Sequence, residues 1–168
     1  MIIYTDGACI GNPGPGGYGV VLNYAGHRRE LSGGFRLTTN NRMELMAAIR
    51  GLEALKEPCS VSLFSDSLYV VKAMLEGWAA RWRADGWRLK SKQPAINPDL
   101  WQRLLDLCET HDVSFQWVRG HAGNTENERC DELANEAARS EDLPPDEPYE
   151  RLQLATPPLR FRLDEPPS

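Results

Sequence analysis

A chain of 168 residues with 41% hydrophobic and 26% charged side chains and a net charge of −5 has the make-up of one soluble globular domain, long enough to bury a core without staples. No apolar run approaches the ~20 residues of a membrane span, and Met1-Ile2-Ile3-Tyr4 lacks the basic start and long apolar stretch of a secretory leader. Cys9, Cys59, Cys108 and Cys130 are scattered in no paired spacing, which argues against a zinc site or disulfide framework and fits small, buried or half-buried residues in a reducing cytoplasm.

Residues 1–6 are apolar and β-branched up to a glycine and read as a buried strand. Residues 11–17, rich in Gly and Pro, read as a turn-rich loop, followed by a second strand over 18–24. Residues 25–27 look like a hairpin turn, and 28–36 alternate as a third strand, giving an antiparallel meander. Thr39 or Asn40 then caps a helix whose apolar residues Leu45, Ala48, Ile49, Leu52 and Leu55 follow helical spacing, with Pro58 as its stop. A short buried strand is expected over 61–65, ending at Asp66. Helices are expected over 68–76, 78–84 and 98–109, a fifth strand over 113–118 and a last helix over 124–139. Strands alternating with helices in this half imply parallel pairing beside the meander. The expected fold is α/β, with a mixed five-stranded sheet flanked by helices on both faces.

The charge is unevenly spread. Residues 141–168 hold seven acidic and three basic side chains, so 1–140 is nearly neutral at −1. Residues 78–92 carry Arg81, Arg83, Arg88, Lys90 and Lys92 against Asp85 alone, a local excess that phosphates could use. Overall acidity therefore does not exclude a nucleic-acid substrate. Residues 144–168 contain seven of the twelve prolines and no helical period, so 141–168 is expected to be a Pro-rich acidic tail, mostly disordered, after a domain spanning 1–140. Within it, Leu159-Arg160-Phe161-Arg162-Leu163 alternates apolar and basic residues. That fits either a fraying terminus or a short strand added to a sheet edge, its own or that of a protein partner.

Four acidic residues stand in settings that suggest a site: Asp6 in Thr5-Asp6-Gly7, Glu44 in Asn40-Asn41-Arg42-Met43-Glu44, Asp66 in Phe64-Ser65-Asp66-Ser67, and Asp131 in Arg129-Cys130-Asp131-Glu132. Taken singly, each has an ordinary reading as a turn, a helix-dipole partner, a cap or a solvated face. Asp6 and Asp66 both end strands, and if those strands are neighbours the two carboxylates lie side by side. Unpartnered, they would raise each other's pKa unless a cation sat between them. Oxygen ligands of this kind favour Mg²⁺ or Mn²⁺ over zinc, and four carboxylates can hold two such ions about 4 Å apart for in-line phosphoryl displacement.

These four segments, with Arg119-Gly120-His121-Ala122-Gly123, resemble in order and spacing type 1 ribonuclease H of bacteria, over about residues 1–139. The resemblance implies a ribonuclease H-like fold and a monomeric, Mg²⁺-dependent endonuclease (Mn²⁺ being a possible substitute) that cuts the RNA strand of RNA–DNA hybrids, leaving 3′-hydroxyl and 5′-phosphate ends. It implies Asp6 and Asp66 as shared central metal ligands, with Glu44 and Asp131 completing each side and two ions present when substrate is bound. His121, in a Gly-flanked loop before the last helix, is implied in proton delivery or product release.

RNA is distinguished from DNA through 2′-hydroxyls in a wide minor groove, which suits small polar side chains. Asn12, Asn40 and Asn41, with Cys9 nearby, are the candidates, beside plain turn and cap chemistry, while Thr39 belongs to the pocket by which the family holds a DNA phosphate. The stretch with Trp78, Arg81, Trp82, Arg83, Arg88 and Lys90 resembles the family's basic protrusion that grips the DNA strand. Arginines and lysine would meet phosphates, while the tryptophans pack the protrusion or lie against sugars. Two positions depart from the family pattern: Leu68 follows the Asp-Ser pair, and Leu37 stands where many relatives have an Arg for a DNA phosphate. Arg81 is the candidate to supply that charge. Two rivals share parts of the pattern. DNA-cutting transposases, integrases and resolvases have the sheet and acidic site but not the Gly-rich turn, Asn pair and protrusion in this order. A non-catalytic hybrid-binding module would be expected to have lost a carboxylate, and all four are present.

Overall fold

The computed structural model describes residues 1–89, 91 and 96–155. Eight residues, Ile2–Cys9, form β1, and Gly14–Tyr24 and His27–Thr38 form β2 and β3. Ala25 and Gly26, both left-handed at φ 47° and 82°, join β2 to β3 in a two-residue turn that matches the right-handed strand twist. The long helix α1 covers Asn40–Glu53, and β4 covers Ser60–Ser65. Then follow α2 (Leu68–Leu75), α3 (Trp78–Ala84), α4 (Pro98–Thr110), β5 (Asp112–Trp117), α5 (Thr125–Ala138) and α6 (Glu147–Ala155).

The sheet order is β3-β2-β1-β4-β5, with β1–β2 and β2–β3 antiparallel and β1–β4 and β4–β5 parallel. This is the expected mixed sheet. β1, which runs on to Cys9 rather than ending at Asp6 as expected, pairs with β4 as far as Thr5 and Ser65, so Asp6 and Asp66 follow that last pair side by side.

The two faces of the sheet are packed differently. On one, Ile3, Val20, Leu22, Val61 and Leu63 bury against α1 and, beyond it, Leu100, Trp101 and Leu104 of α4, all 7% exposed or less. Each large side chain so buried contributes roughly 1.5–3 kcal/mol. On the other, α5 comes so close that glycine is required beneath it. A Cβ on Gly17 would collide with the backbone of Ala134 and Ala138, and one on Gly19 with Cys130. The Cys130 thiol donates to the Tyr4 carbonyl at 3.2 Å, tying α5 to β1.

Two expectations need correction. Gly14, Gly16 and Gly17 are not loop but the start of β2: the missing side chain of Gly17 serves the close contact with α5, that of Gly16 the approach of Thr38 and Met43, and that of Gly14 the Ile10 carbonyl. Residues 141–155 are not disordered. The Pro144 carbonyl accepts from the Arg36 amide at 2.9 Å, Asp146 is 3% exposed, and 147–155 is helical with Tyr149 buried. Pro148 lies in the first turn of α6, where a missing N–H costs nothing. The alternating segment 159–163 lies outside the described residues.

Candidate active site

Three of the carboxylates converge. Ligand oxygens of Asp6, Glu44 and Asp66 all lie within 4.8 Å of one another. The chain achieves this through two glycines. A Cβ on Gly7 would run into the backbone of Met43 and Glu44, so only glycine lets the first turns of α1 rest on the end of β1. A Cβ on Gly120 would sit 2.8 Å from Asp66 Oδ2, so the loop after β5 also closes on the carboxylate itself. The end of β4 is pinned from β5's side: Trp117 Nε1 donates to the Asp66 carbonyl at 3.1 Å and the Val118 amide to that of Ser65 at 3.0 Å. Ser67, after the carboxylate, caps α2 by accepting from the Val70 amide at 3.3 Å.

The electrostatics are those of a site built for a cation. Asp6 is 4% exposed and Glu44 5%. Burial, reinforced by the Asp66 charge, pushes the Asp6 carboxyl up to about 8. Burial, with the Asp6 and Asp66 charges, holds Glu44 well above the ordinary carboxylate range. Glu44 Oε2 is buried with no hydrogen-bond partner among the described residues. A buried carboxylate oxygen left unsatisfied costs free energy. A divalent cation would relieve both the orphaned oxygen and the mutual repulsion, so the donor set fits a hard ion.

The fourth carboxylate stands apart. Asp131, half-buried on α5, lies outside the 4.8 Å cluster, and its Oδ1 accepts from Asn135 Nδ2 at 3.1 Å. His121 is exposed and left-handed at φ 55°, in the loop between Gly120 and the α5 N-cap Asn124. His, Asn and Asp tolerate that region better than other side chains.

The expected minor-groove residues gather at the α1 N-terminus. Asn12 Oδ1 accepts from the Asn40 amide at 3.0 Å, tying the Gly-rich turn to the helix start, and Asn41 is exposed beside it. Thr39 Oγ1 accepts from the Arg42 amide as N-cap. The Cys9 thiol donates to the carbonyls of Thr38 and Gly14 at 3.4 and 3.5 Å, and burial raises its pKa.

The basic protrusion divides. Trp78, Arg81, Trp82, Asp85, Arg88 and Leu89 line one groove. Arg81 is exposed and makes no ion pair among the described residues. Trp82, expected either to pack the protrusion or to lie against sugars, sets its edge on Trp101 with centroids 5.7 Å apart and anchors α3 to the core while also lining the groove. Arg83, expected at a phosphate, instead pairs with Asp106 and Glu109 of α4 at 3.4 and 2.9 Å. Lys90 lies outside the described residues.

Sequence reasoning missed Arg42. It is 3% exposed and donates to both oxygens of Asp99 and of Asp146 at 2.7–3.0 Å, to Asn97 Oδ1 at 3.2 Å, and lies 5.9 Å from the Tyr149 ring centroid. Thr38 Oγ1 donates to Asp146 at 2.7 Å. The residues after α5 therefore strap the start of α1, two residues from Glu44. An arginine among the apolar residues of α1 was the available signal.

Comparison with known proteins bears on the whole domain. The RNase H family model matches residues 1–139. A ribonuclease H of Syntrophus aciditrophicus is 66% identical over 149 residues, 89% of this chain and 86% of that one, and one of Desulforamulus reducens is 67% identical over 146 residues, 87% and 92%. Among solved structures, LC11-RNase H1 in complex with RNA/DNA hybrid superposes with a TM-score of 0.62 at 31% identity, covering 82% of this chain and 95% of that one. RNase H1 from Halobacterium salinarum does so with 0.61 at 31% identity, covering 81% and 95%. A sheet that sets Asp6 beside Asp66, a helix start that adds Glu44, and these likenesses along nearly the whole folded chain agree: the chain belongs to the ribonuclease H family.

Proposed function

We propose that this protein is a divalent-ion-dependent endoribonuclease that hydrolyses the RNA strand of RNA–DNA hybrids, leaving 3′-hydroxyl and 5′-phosphate ends. The observation that carries the reading is the convergence of Asp6, Glu44 and Asp66 within 4.8 Å around a buried, unpartnered carboxylate oxygen. A solved relative, LC11-RNase H1, is in complex with RNA/DNA hybrid, which supports this substrate class. Asp6, Glu44, Asp66 and Asp131 are the residues to hold Mg²⁺, or Mn²⁺ in its stead, with two ions when hybrid is bound. Such ions polarise phosphoryl oxygens and lower the pKa of water.

The chain's own groups do the rest. Asp6, inside β1, and Asp66, just past the end of β4, are held rigidly side by side and fix where the scissile phosphate can approach. Glu44 and Asp131 flank them from two helices on opposite faces of the sheet. His121, exposed on a strained turn, is suited to move a proton to or from the cleaved ester or to ease product away. Asn12, Asn40 and Asn41 offer amides to 2′-hydroxyls, and Arg81 with Trp78 and Arg88 offers a groove for the DNA strand. The catalytic unit is residues 1–140, acting as a monomer in the cytoplasm, with 141–155 as a strap. Any protein partner of the tail would engage residues after the strap.

The test is cleavage of matched RNA–DNA hybrid, double-stranded RNA, single-stranded RNA and duplex DNA, each with Mg²⁺, with Mn²⁺ and with chelator, beside Asp66→Asn and His121→Ala. Hybrid-only cutting that needs the ion and Asp66, slowed on the order of a hundredfold without His121, is the expected result. Hybrid binding without cleavage, or cutting of duplex DNA, would overturn the reading.

A further inference from the structure

Asp131 differs from the other three carboxylates in having one oxygen held by a neutral side chain. Asn135, one helical turn onward, donates through Nδ2 to the Asp131 carbonyl at 2.9 Å and to Asp131 Oδ1 at 3.1 Å. No hydrogen bond reaches Oδ2 among the described residues, so the two oxygens are inequivalent: one tied back, one open. The α5 backbone beneath is already fixed, by the contacts over Gly17 and Gly19 and by the Cys130–Tyr4 bond. The remaining freedom at Asp131 is its own side-chain torsion, and the Asn135 amide removes it. Asn is a poor residue for a helix interior, where its amide competes with the backbone, and its surroundings in α5 are Ala134, Ala137 and Ala138. An i,i+4 Asn–Asp hydrogen bond is the local gain that suits it to this place.

We propose that Asn135 is a positioning residue. It orients Asp131 so that a single oxygen faces the Asp6–Glu44–Asp66 cluster, and thereby sets how tightly the ion that Asp131 helps to hold is bound. This rests on the reading of Asp131 as a ligand. Partners that orient metal ligands typically matter at the level of 10–100-fold in ion affinity or activity. The amide leaves the charge of Asp131 intact, so its effect falls on ion binding rather than on hybrid binding.

The experiment compares the parent with Asn135→Ala, Asn135→Gln and Asp131→Asn. Three quantities are measured: Mn²⁺ binding to the hybrid-free protein by electron paramagnetic resonance, the Mg²⁺ concentration for half-maximal hybrid cleavage, and Tm. The expected result for Asn135→Ala is roughly tenfold weaker binding in the part of the Mn²⁺ isotherm that Asp131→Asn removes, with a matching rise in Mg²⁺ demand. KM for hybrid should stay within about twofold, and Tm should hold or rise because Ala is the better helix former. Asn135→Gln, which keeps the amide, should recover part of the loss. Unchanged ion binding and Mg²⁺ demand in Asn135→Ala would overturn the proposal, as would a loss that merely tracks a fall in Tm. If Asp131→Asn itself binds ions and cleaves like the parent, the assignment of Asp131 as a ligand has failed, a result distinct from an indifferent Asn135.

Discussion

Arg42 and Glu44 are two residues apart on α1, both about 95% buried or more, and their surroundings are opposite. Around Arg42 every charge has a partner: Asp99 and Asp146 each give it two oxygens, and Asn97 and Thr38 complete the network. Burial alone would pull the Arg42 pKa down, and the hydrogen bonds it donates to Asp99 and Asp146 more than offset it. Around Glu44 the charged neighbours among the described residues are the carboxylates Asp6 and Asp66, and one of its oxygens has no hydrogen-bond partner there. A satisfied buried charge network ties two segments together. A buried group of like charges weakens the fold unless something else binds there. The same helix therefore carries a structural clasp and a binding site, told apart by whether the charges are balanced within the chain.

Substitution at each should move stability in opposite directions. Glu44→Gln removes a charge from the unbalanced cluster, so thermal unfolding of the ion-free protein should shift upward. Hybrid cleavage should fall by roughly a thousandfold, the loss of several kcal/mol of transition-state stabilisation. Arg42→Ala leaves Asp146 buried without its cation and should cost about 3–5 kcal/mol in urea unfolding, as breaking buried ion pairs generally does. An unstable Glu44→Gln, or an Arg42→Ala as stable as the parent, would refute the contrast.

The contrast also has a pH signature. The Asp6 carboxyl is raised from 3.8 to about 8, and Glu44 shifts in the same direction. A carboxyl with a raised folded-state pKa binds its proton more tightly folded than unfolded, so its contribution is full below the unfolded value and is lost as pH rises toward the folded one. Chelated protein should lose stability between about pH 4 and 8, and adding Mg²⁺ should recover most at the alkaline end, where the carboxylates are charged. A flat profile in chelator would mean that the cluster does not store that repulsion.

Much of this was legible in the sequence because it is local. Helix periodicity and caps located α1 to α5, and the carboxylates Asp6 and Asp66 could be picked out from their motifs alone. What was not legible depends on pairings far along the chain. Asp146 meets Thr38 across 108 residues and Arg42 across 104, so the strap looked like acidic, Pro-rich disorder until its partners were in place. Gly7 and Gly120 read as turn residues, and only the packed structure reveals that a side chain at either would displace Glu44 or Asp66. The partners that Trp82 and Arg83 find within the chain were hidden for the same reason: Trp101, Asp106 and Glu109 come from α4.

The rule that balanced charges are structural and unbalanced ones functional makes its finest prediction on α3, where Arg81 and Arg83 lie two residues apart. Arg83 is matched by Asp106 and Glu109, whereas Arg81 has no counter-ion among the described residues and lines the groove with Trp78 and Arg88. If Arg81 meets a phosphate of the DNA strand, Arg81→Ala should weaken hybrid binding and reduce the dependence of log K on log salt by about one. Arg83→Ala should leave that slope alone and lower stability by less than about 1 kcal/mol, as expected of a half-exposed pair. Binding isotherms for both variants across a salt series decide it. Equal slopes for Arg81→Ala and the parent would remove Arg81 from the interface and leave the position of Leu37 without a substitute charge, whereas a change confined to Arg83→Ala would break the rule itself.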